Sequence, residues 1–189
     1  MAATFQFCED NGTAVGTPAR GTTRTTGVTN VNWKTADDTT TAYTAAPVTA
    51  AQNSYTKYQF GVFTGSYNEV KSGIWQHTYN TNGALMGAGL TIKGYVSGSG
   101  LYATPALTTN SALIFDMTST GALSTGYTVR LGINGPEHTG KGVSSTGATV
   151  NPWGATTYTE YIATQLQTTS SAAAGDTAQS VWTFQWTEN

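Results

Sequence analysis

The chain has 189 residues, with 8 basic and 10 acidic side chains and a formal net charge of −2. Charged residues make up 10%, against about 25% in ordinary soluble domains, so the basic stripe of a nucleic-acid binder is excluded. Hydrophobic residues at 38% and aromatics at 11% exclude a disordered chain, and a single cysteine, Cys8, excludes an intrachain disulfide.

Threonine recurs at about every fifth position and there are 22 glycines, while Glu, Lys and Arg are scarce. β-Branched threonine suits a pleated strand, glycine punctuates turns, and long helices draw on the residues missing here. An all-β protein follows, with a surface solvated by hydroxyls. Such a surface has little charge to hold neighbours apart and suits packing against other copies or partners.

In chain order, the first predicted strand is Thr4-Phe5-Gln6-Phe7-Cys8, with Phe5 and Phe7 on one side. Residues 12–29 are polar, Thr-rich and weakly patterned, and read as an extended arm or long loop. Tyr58, Phe60 and Val62 alternate with Gln59, Gly61 and Phe63, a strand covered on both faces. Further strands are expected at Ile74–Thr78, Leu90–Val96, Ala112–Phe115 and Tyr127–Leu131. A C-terminal hairpin is expected, Tyr158–Gln167 pairing with Ala178–Thr187 across Ser170–Asp176. Ser171–Ala174 offers one helical turn, too little to hold a helix alone. Asn11-Gly12, Asn82-Gly83 and Asn134-Gly135 are turn signals for positions needing φ > 0. The expectation is one domain over residues 1–189, an antiparallel β-sandwich of jelly-roll or Ig-like type with long loops.

Few residues suggest chemistry. Gly135-Pro136-Glu137-His138-Thr139-Gly140-Lys141-Gly142 has the glycines and lysine of a phosphate loop, but Gly142 stands where a Ser or Thr must hold Mg²⁺. His77 and His138 are the only histidines, and Glu137 alone stands beside either as a metal ligand. Asp37-Asp38 lacks the alternating ligands of a calcium loop and reads as a surface turn. Glu69, Asp116, Glu137, Glu160 and Asp176 are dispersed, and no Gly-x-Ser-x-Gly elbow occurs. Trp33, Trp75, Trp153, Trp182 and Trp186 suit core and interfaces better than sugar platforms. Asn11-Gly12-Thr13 is formally a glycosylation acceptor. No catalytic, cofactor-binding or metal-binding residue is therefore assigned, no cofactor is expected, and an enzyme is disfavoured. The start lacks the basic and apolar regions of a signal peptide, and no apolar run approaches the roughly 18 residues of a membrane helix. A soluble protein made in a reducing cytoplasm, with no membrane or nucleic-acid partner, is the expectation.

The stretch from Asn32-Trp33-Lys34 through Thr39-Thr40-Thr41-Ala42-Tyr43, Asn53-Ser54-Tyr55 and Phe63-Thr64-Gly65-Ser66-Tyr67-Asn68 resembles virion structural proteins of tailed bacteriophages. The ending is similar in texture: Thr164-Gln165-Leu166-Gln167-Thr168-Thr169, then Ala174-Gly175-Asp176-Thr177 and an aromatic strand. The resemblance implies a non-enzymatic capsid decoration or cement protein on the outer shell. It implies a homotrimer whose partner is the major capsid protein. A tail, neck or fibre component and a carbohydrate-binding module are the alternatives.

Overall fold

The computed structural model describes residues 3–17, 19–30, 32–65, 69–79, 89–96, 102–113, 115–116, 127–130, 148–150, 157–159, 161–173 and 180–188. These residues form strands and connections, with no helix among them. The strands are β1 (Ala3–Val15), β2 (Arg20–Thr26), β3 (Lys57–Gly65), β4 (Glu69–Tyr79), β5 (Leu90–Val96), β6 (Phe115–Asp116), β7 (Tyr127–Arg130), β8 (Ala148–Val150), β9 (Thr157–Tyr158), β10 (Ile162–Thr168) and β11 (Ser180–Glu188). Every pairing is antiparallel. The main sheet runs β2-β1-β3-β10-β5-β6, with β9 also on β3, and β11, β4, β7 and β8 form a second group.

The alternation read in β3 explains its burial from Lys57 to Phe63. Successive side chains point to opposite faces, so a strand buried throughout needs cover on both. On one face Phe63, Ile162, Leu166 and Ile92 form a cluster with Phe184, and Phe5, Phe7, Trp33, Trp182 and Trp186 pack against it. Phe5 stacks on Phe184 with ring centroids 4.6 Å apart, and Trp186 meets Phe63 edge-on at 5.3 Å. β11 thus lays its alternating aromatics across β1 and β3. On the other face Cys8, Tyr58, Phe60, Val62 and Ala163 lie under Tyr102, Leu113 and Tyr161. Each fully buried Phe or Ile contributes about 1.5–3 kcal/mol relative to exposure. The aromatic ends of the pattern meet, as the spacing of Phe5, Phe7, Trp182, Phe184 and Trp186 leads one to expect.

Three expectations are corrected. Residues 12–29 are not an extended arm: they complete β1, turn after Val15 and return as β2, paired from Cys8↔Thr26 to Val15↔Arg20. Buried charge holds this hairpin to the sheet (below), and a hydrophobic pattern cannot reveal that. Asn11-Gly12 is correspondingly a bulge inside β1, where the register slips between Asn11 and Ala14 and Gly12 takes φ 84°. The C-terminal hairpin also fails, because β10 pairs with β3 and β5 while β11 pairs with β4. Both arms alternate correctly, but alternation does not specify the partner. Ala112 lies in a turn, and only Phe115 of that predicted strand is in β6.

Gly61 stands opposite Phe7 in the register, and a Cβ there would lie 2.2 Å from the Phe5 ring. That ring is fixed by Phe63, Phe184 and Trp186 and has nowhere to go. Gly61→Ala is expected to destabilise the fold by about 1–3 kcal/mol, read as a lower urea midpoint at unchanged slope.

Candidate functional site

Adjacent residues of a strand point to opposite faces, so Glu9 and Asp10 send one carboxylate into each side of the main sheet. Both are buried, at 2% and 0% exposure. A buried charge is tolerated only when paired and hydrogen-bonded, and each acid has its own cation.

Asp10 faces the tyrosine side. Its Oδ1 accepts from Arg24 Nε and its Oδ2 from Arg24 Nη2, both at 2.8 Å, a bidentate fork that ties β2 to β1. Oδ2 also accepts from Gly21 N at 3.3 Å and from the Tyr161 hydroxyl. The Arg24 guanidinium lies 4.5 Å from the Phe60 ring centroid and 4.9 Å from that of Tyr158. Tyr58, Tyr102 and Tyr161 contact one another beside it, and Tyr102 donates to Gly12 O at 2.6 Å. A Cβ on Gly21 would lie 2.4 Å from Asn11 O and 2.9 Å from the Tyr102 hydroxyl, so the close approach requires glycine.

Glu9 faces the opposite side. Its Oε1 accepts from Lys57 Nζ at 3.0 Å and Asn11 Nδ2 at 2.8 Å, and its Oε2 accepts from Gln59 Nε2 at 2.9 Å. Asn11 Nδ2 also donates to Asp37 Oδ1 at 2.9 Å, and Gly12 N to Asp37 Oδ2 at 2.7 Å. Lys57 Nζ reaches Asp38 O at 3.2 Å. The loop over residues 34–41 therefore roofs this cluster. It is braced in turn by Lys34, buried, whose Nζ donates to Asp38 Oδ1 and to Thr41 O. Burial works to raise the Asp38 pKa, but hydrogen bonds from Thr41, Lys34 and Thr40 outweigh it and hold the carboxyl well below the usual range. Asp37-Asp38 does form a turn, and its function in the fold is to close a buried ionic cluster. Asn11 Oδ1 and Gln59 Oε1 have no hydrogen-bond partner.

A third polar anchor is Gln165, fully buried in β10. Its Nε2 donates to the carbonyls of Ser54, Ala106 and Thr108, and its Oε1 accepts from Asn110 N and Gln167 Nε2. It holds the 102–113 connection over the tyrosine face.

His77 lies in β4 opposite Trp182 and Tyr127 in the register. Glu69, Trp75 and Asp116 lie in strands described by their backbone. His138, Glu137, Trp153, Glu160, Asp176 and the whole 135–142 loop fall outside the described residues, as do Asn82-Gly83 and Asn134-Gly135. Trp33, Trp182 and Trp186 are half-buried against the core, and Trp33 Nε1 donates to Thr164 Oγ1 at 3.1 Å. Asn11 is 3% exposed with both its amide hydrogens engaged, so the folded chain offers no glycan acceptor there. Among the described residues no group of three or more His, Cys, Asp or Glu is placed to hold a metal. The crevice between Phe5, Phe7, Ile162, Trp182 and Phe184 has no room for a water molecule.

Comparison with known proteins returns no match: no family model, no curated protein and no solved structure is similar to this chain.

Sequence reasoning missed Glu9, Asp10, Asn11, Arg24 and Lys57 as a unit. A signal was present: in a chain this poor in charge, Glu9-Asp10 directly follows an alternating apolar strand, and Lys57 directly precedes another.

Two predictions follow from the charged clusters. Arg24→Leu leaves the Asp10 carboxylate buried without its cation and is expected to cost about 3–5 kcal/mol in urea unfolding. Asp10→Asn with Arg24→Leu is expected to recover part of that loss. The second concerns alkaline pH. Burial pushes the Cys8 thiol up from 9.0 to about 11, with Arg24 opposing. Burial, then the charges of Asp37 and Asp10, raises Tyr102 above its ordinary 10.0; burial, then the Asp10 charge, raises Tyr161 likewise. Groups raised in the fold hold their protons longer than in the unfolded chain. Their contribution is complete below 9.0 and is lost as pH climbs through the window above it. The urea midpoint should be flat from about pH 7 to 8.5 and fall steeply beyond about 9.5, and Tyr161→Phe should shallow the fall.

Proposed function

We propose that this chain is a non-enzymatic structural component of a virus particle, of the capsid decoration or cement type, built as an antiparallel β-sandwich. The observation that carries the reading is where the charges go. Glu9, Asp10, Arg24, Lys34 and Lys57 are consumed in internal pairs, in a chain with few charges to spend. The exposed positions of β1 and β2 are instead Thr4, Gln6, Thr13, Thr22, Thr23 and Thr26, with Val15 and Arg20 at the hairpin end. A hydroxyl- and amide-rich sheet edge can be covered by another subunit without desolvating ions, which is the costly step in burying a surface. The textural resemblance to tailed-phage virion proteins directs this general capacity to a capsid. The partner is then the major capsid protein, on the outer face of the shell, and the assembling unit is a homotrimer.

The packing of Trp33, Trp182 and Trp186 against the core disfavours the carbohydrate-binding alternative, which needs flat rings open to solvent. The deciding measurement is the number of copies of this chain per purified particle, by quantitative mass spectrometry. Hundreds of copies are expected of a shell decoration. About a dozen or fewer would transfer the chain to a neck or tail, and none would overturn the reading.

A further inference from the structure

We propose that Lys57 and Asn11 become joined by an intramolecular isopeptide bond, with Glu9 as the catalytic proton carrier. The proposal rests on the internal cluster alone and is independent of any role in a particle. The β1–β3 register runs from Ala3↔Gly65 to Asp10↔Tyr58, and Asn11 and Lys57 are the next residue of each of these adjacent antiparallel strands, at the end of their pairing. Side chains placed in this way stand within reach of each other. Here both are also gathered on one acceptor, since Lys57 Nζ (3.0 Å) and Asn11 Nδ2 (2.8 Å) donate to the same oxygen, Glu9 Oε1. Lys57, Glu9 and Asn11 are each at most 3% exposed, so water does not compete for the carbonyl carbon. The Asn11 amide is gripped only through its nitrogen, since Oδ1 has no partner. An amine, a carboxylate that touches it, and a carboxamide held on that same carboxylate are the components of amide transfer.

The step balances without any further reactant. Lys57 Nζ passes a proton to Glu9 Oε1, and its freed lone pair attacks Asn11 Cγ. Glu9 delivers that proton to Nδ2, the Cγ–Nδ2 bond breaks, and ammonia leaves. The nitrogen now bonded to Cγ releases its surplus proton to Glu9, which keeps it as a neutral carboxylic acid because its cation is gone, and ammonia departs uncharged. The net change is one ammonia lost, one secondary amide gained and the Lys57–Glu9 ion pair neutralised, with no change of oxidation state. Asp37, whose Oδ1 already accepts from Nδ2 at 2.9 Å, is half-exposed and receives the leaving group on its way out. Asp37 has a second effect. An Asn-Gly pair can instead lose ammonia by closing a ring through the Gly12 nitrogen, but that N–H is bound to Asp37 Oδ2 at 2.7 Å. The same carboxylate thus favours the lysine over the backbone as nucleophile.

The test is the mass of the purified full-length chain in denaturant, followed by a tryptic peptide map. The expected result is a mass short by one ammonia molecule, no cleavage after Lys57, and a branched peptide joining the segments that carry Asn11 and Lys57. Glu9→Gln and Lys57→Met, checked for native-like circular dichroism, are expected to retain the full mass. Wild-type chain at full mass after prolonged incubation overturns the proposal. So does ammonia loss that persists in Lys57→Met, which signals ring closure at Asn11-Gly12, or a branched peptide that links Lys57 to Gln59. If either variant fails to fold, the branched peptide in the wild-type chain decides the matter by its presence or absence.

Discussion

Two neighbouring carboxylates that must face opposite ways organise this protein. A strand cannot turn Glu9 and Asp10 to the same side, and from Cys8 to Asn11 both sides of β1 are covered by packed structure. Each face therefore has to supply a cation from elsewhere in the chain. Arg24 comes from the strand hydrogen-bonded to one flank of β1, and Lys57 from the strand on the other. The order β2-β1-β3 is thus fixed by charge as well as by backbone hydrogen bonds. Removing either cation would leave a charge stranded in an environment of low dielectric, a larger penalty than losing an exposed pair. The two clusters also recruit the coverings of the sheet: Asp37 and Asp38 bring the 34–41 loop over one face, while Tyr102 and Tyr161 close the other.

What the sequence could disclose divides along the same line. The all-β class, β3, β5 and the start of β1 were legible because apolar residues alternate there. The aromatic meeting of Phe5 and Phe7 with Phe184 and Trp186 was legible for the same reason. The hairpin of β1 and β2 was not, since Arg20-Gly21-Thr22-Thr23-Arg24-Thr25-Thr26 has no apolar side at all. It is held by a guanidinium fork, a stack on Phe60 and Tyr158, and main-chain bonds, none of which leaves a periodic trace. Strand partnership in the C-terminal region was hidden for a different reason. Tyr158–Gln167 and Ala178–Thr187 are close in sequence and both alternate, yet the main-sheet flank of β3 and the flank of β4 compete for them. Local pattern carries no information about such competition.

The candidate site was the least legible part. Asn11-Gly12 looked like a turn and Asp37-Asp38 like a solvated one, and each is a reasonable reading of four residues in isolation. Their chemistry arises from contact across 26 residues between Asn11 and Asp37 and across 48 between Glu9 and Lys57. The β1–β3 pairing brings Glu9 and Lys57 together, and the 34–41 loop folding over them brings Asp37 to Asn11. A chain with so few charges concentrates its information in where each one sits.

The longest of these connections bears on how the chain reaches its fold. Tyr161 completes the Asp10 cluster from 151 residues away, and Trp33 bonds Thr164 from 131 away. During synthesis, β1, β2 and β3 emerge long before β10 exists to cover the flank of β3. For that interval a strand rich in Tyr, Phe and Val has an open edge of the kind that pairs with other chains. Glu9, Asp10, Arg24 and Lys57 all lie on those early strands, and charge on a growing sheet resists stray association. The ions that later lock the finished core therefore act first as guards of the unfinished one.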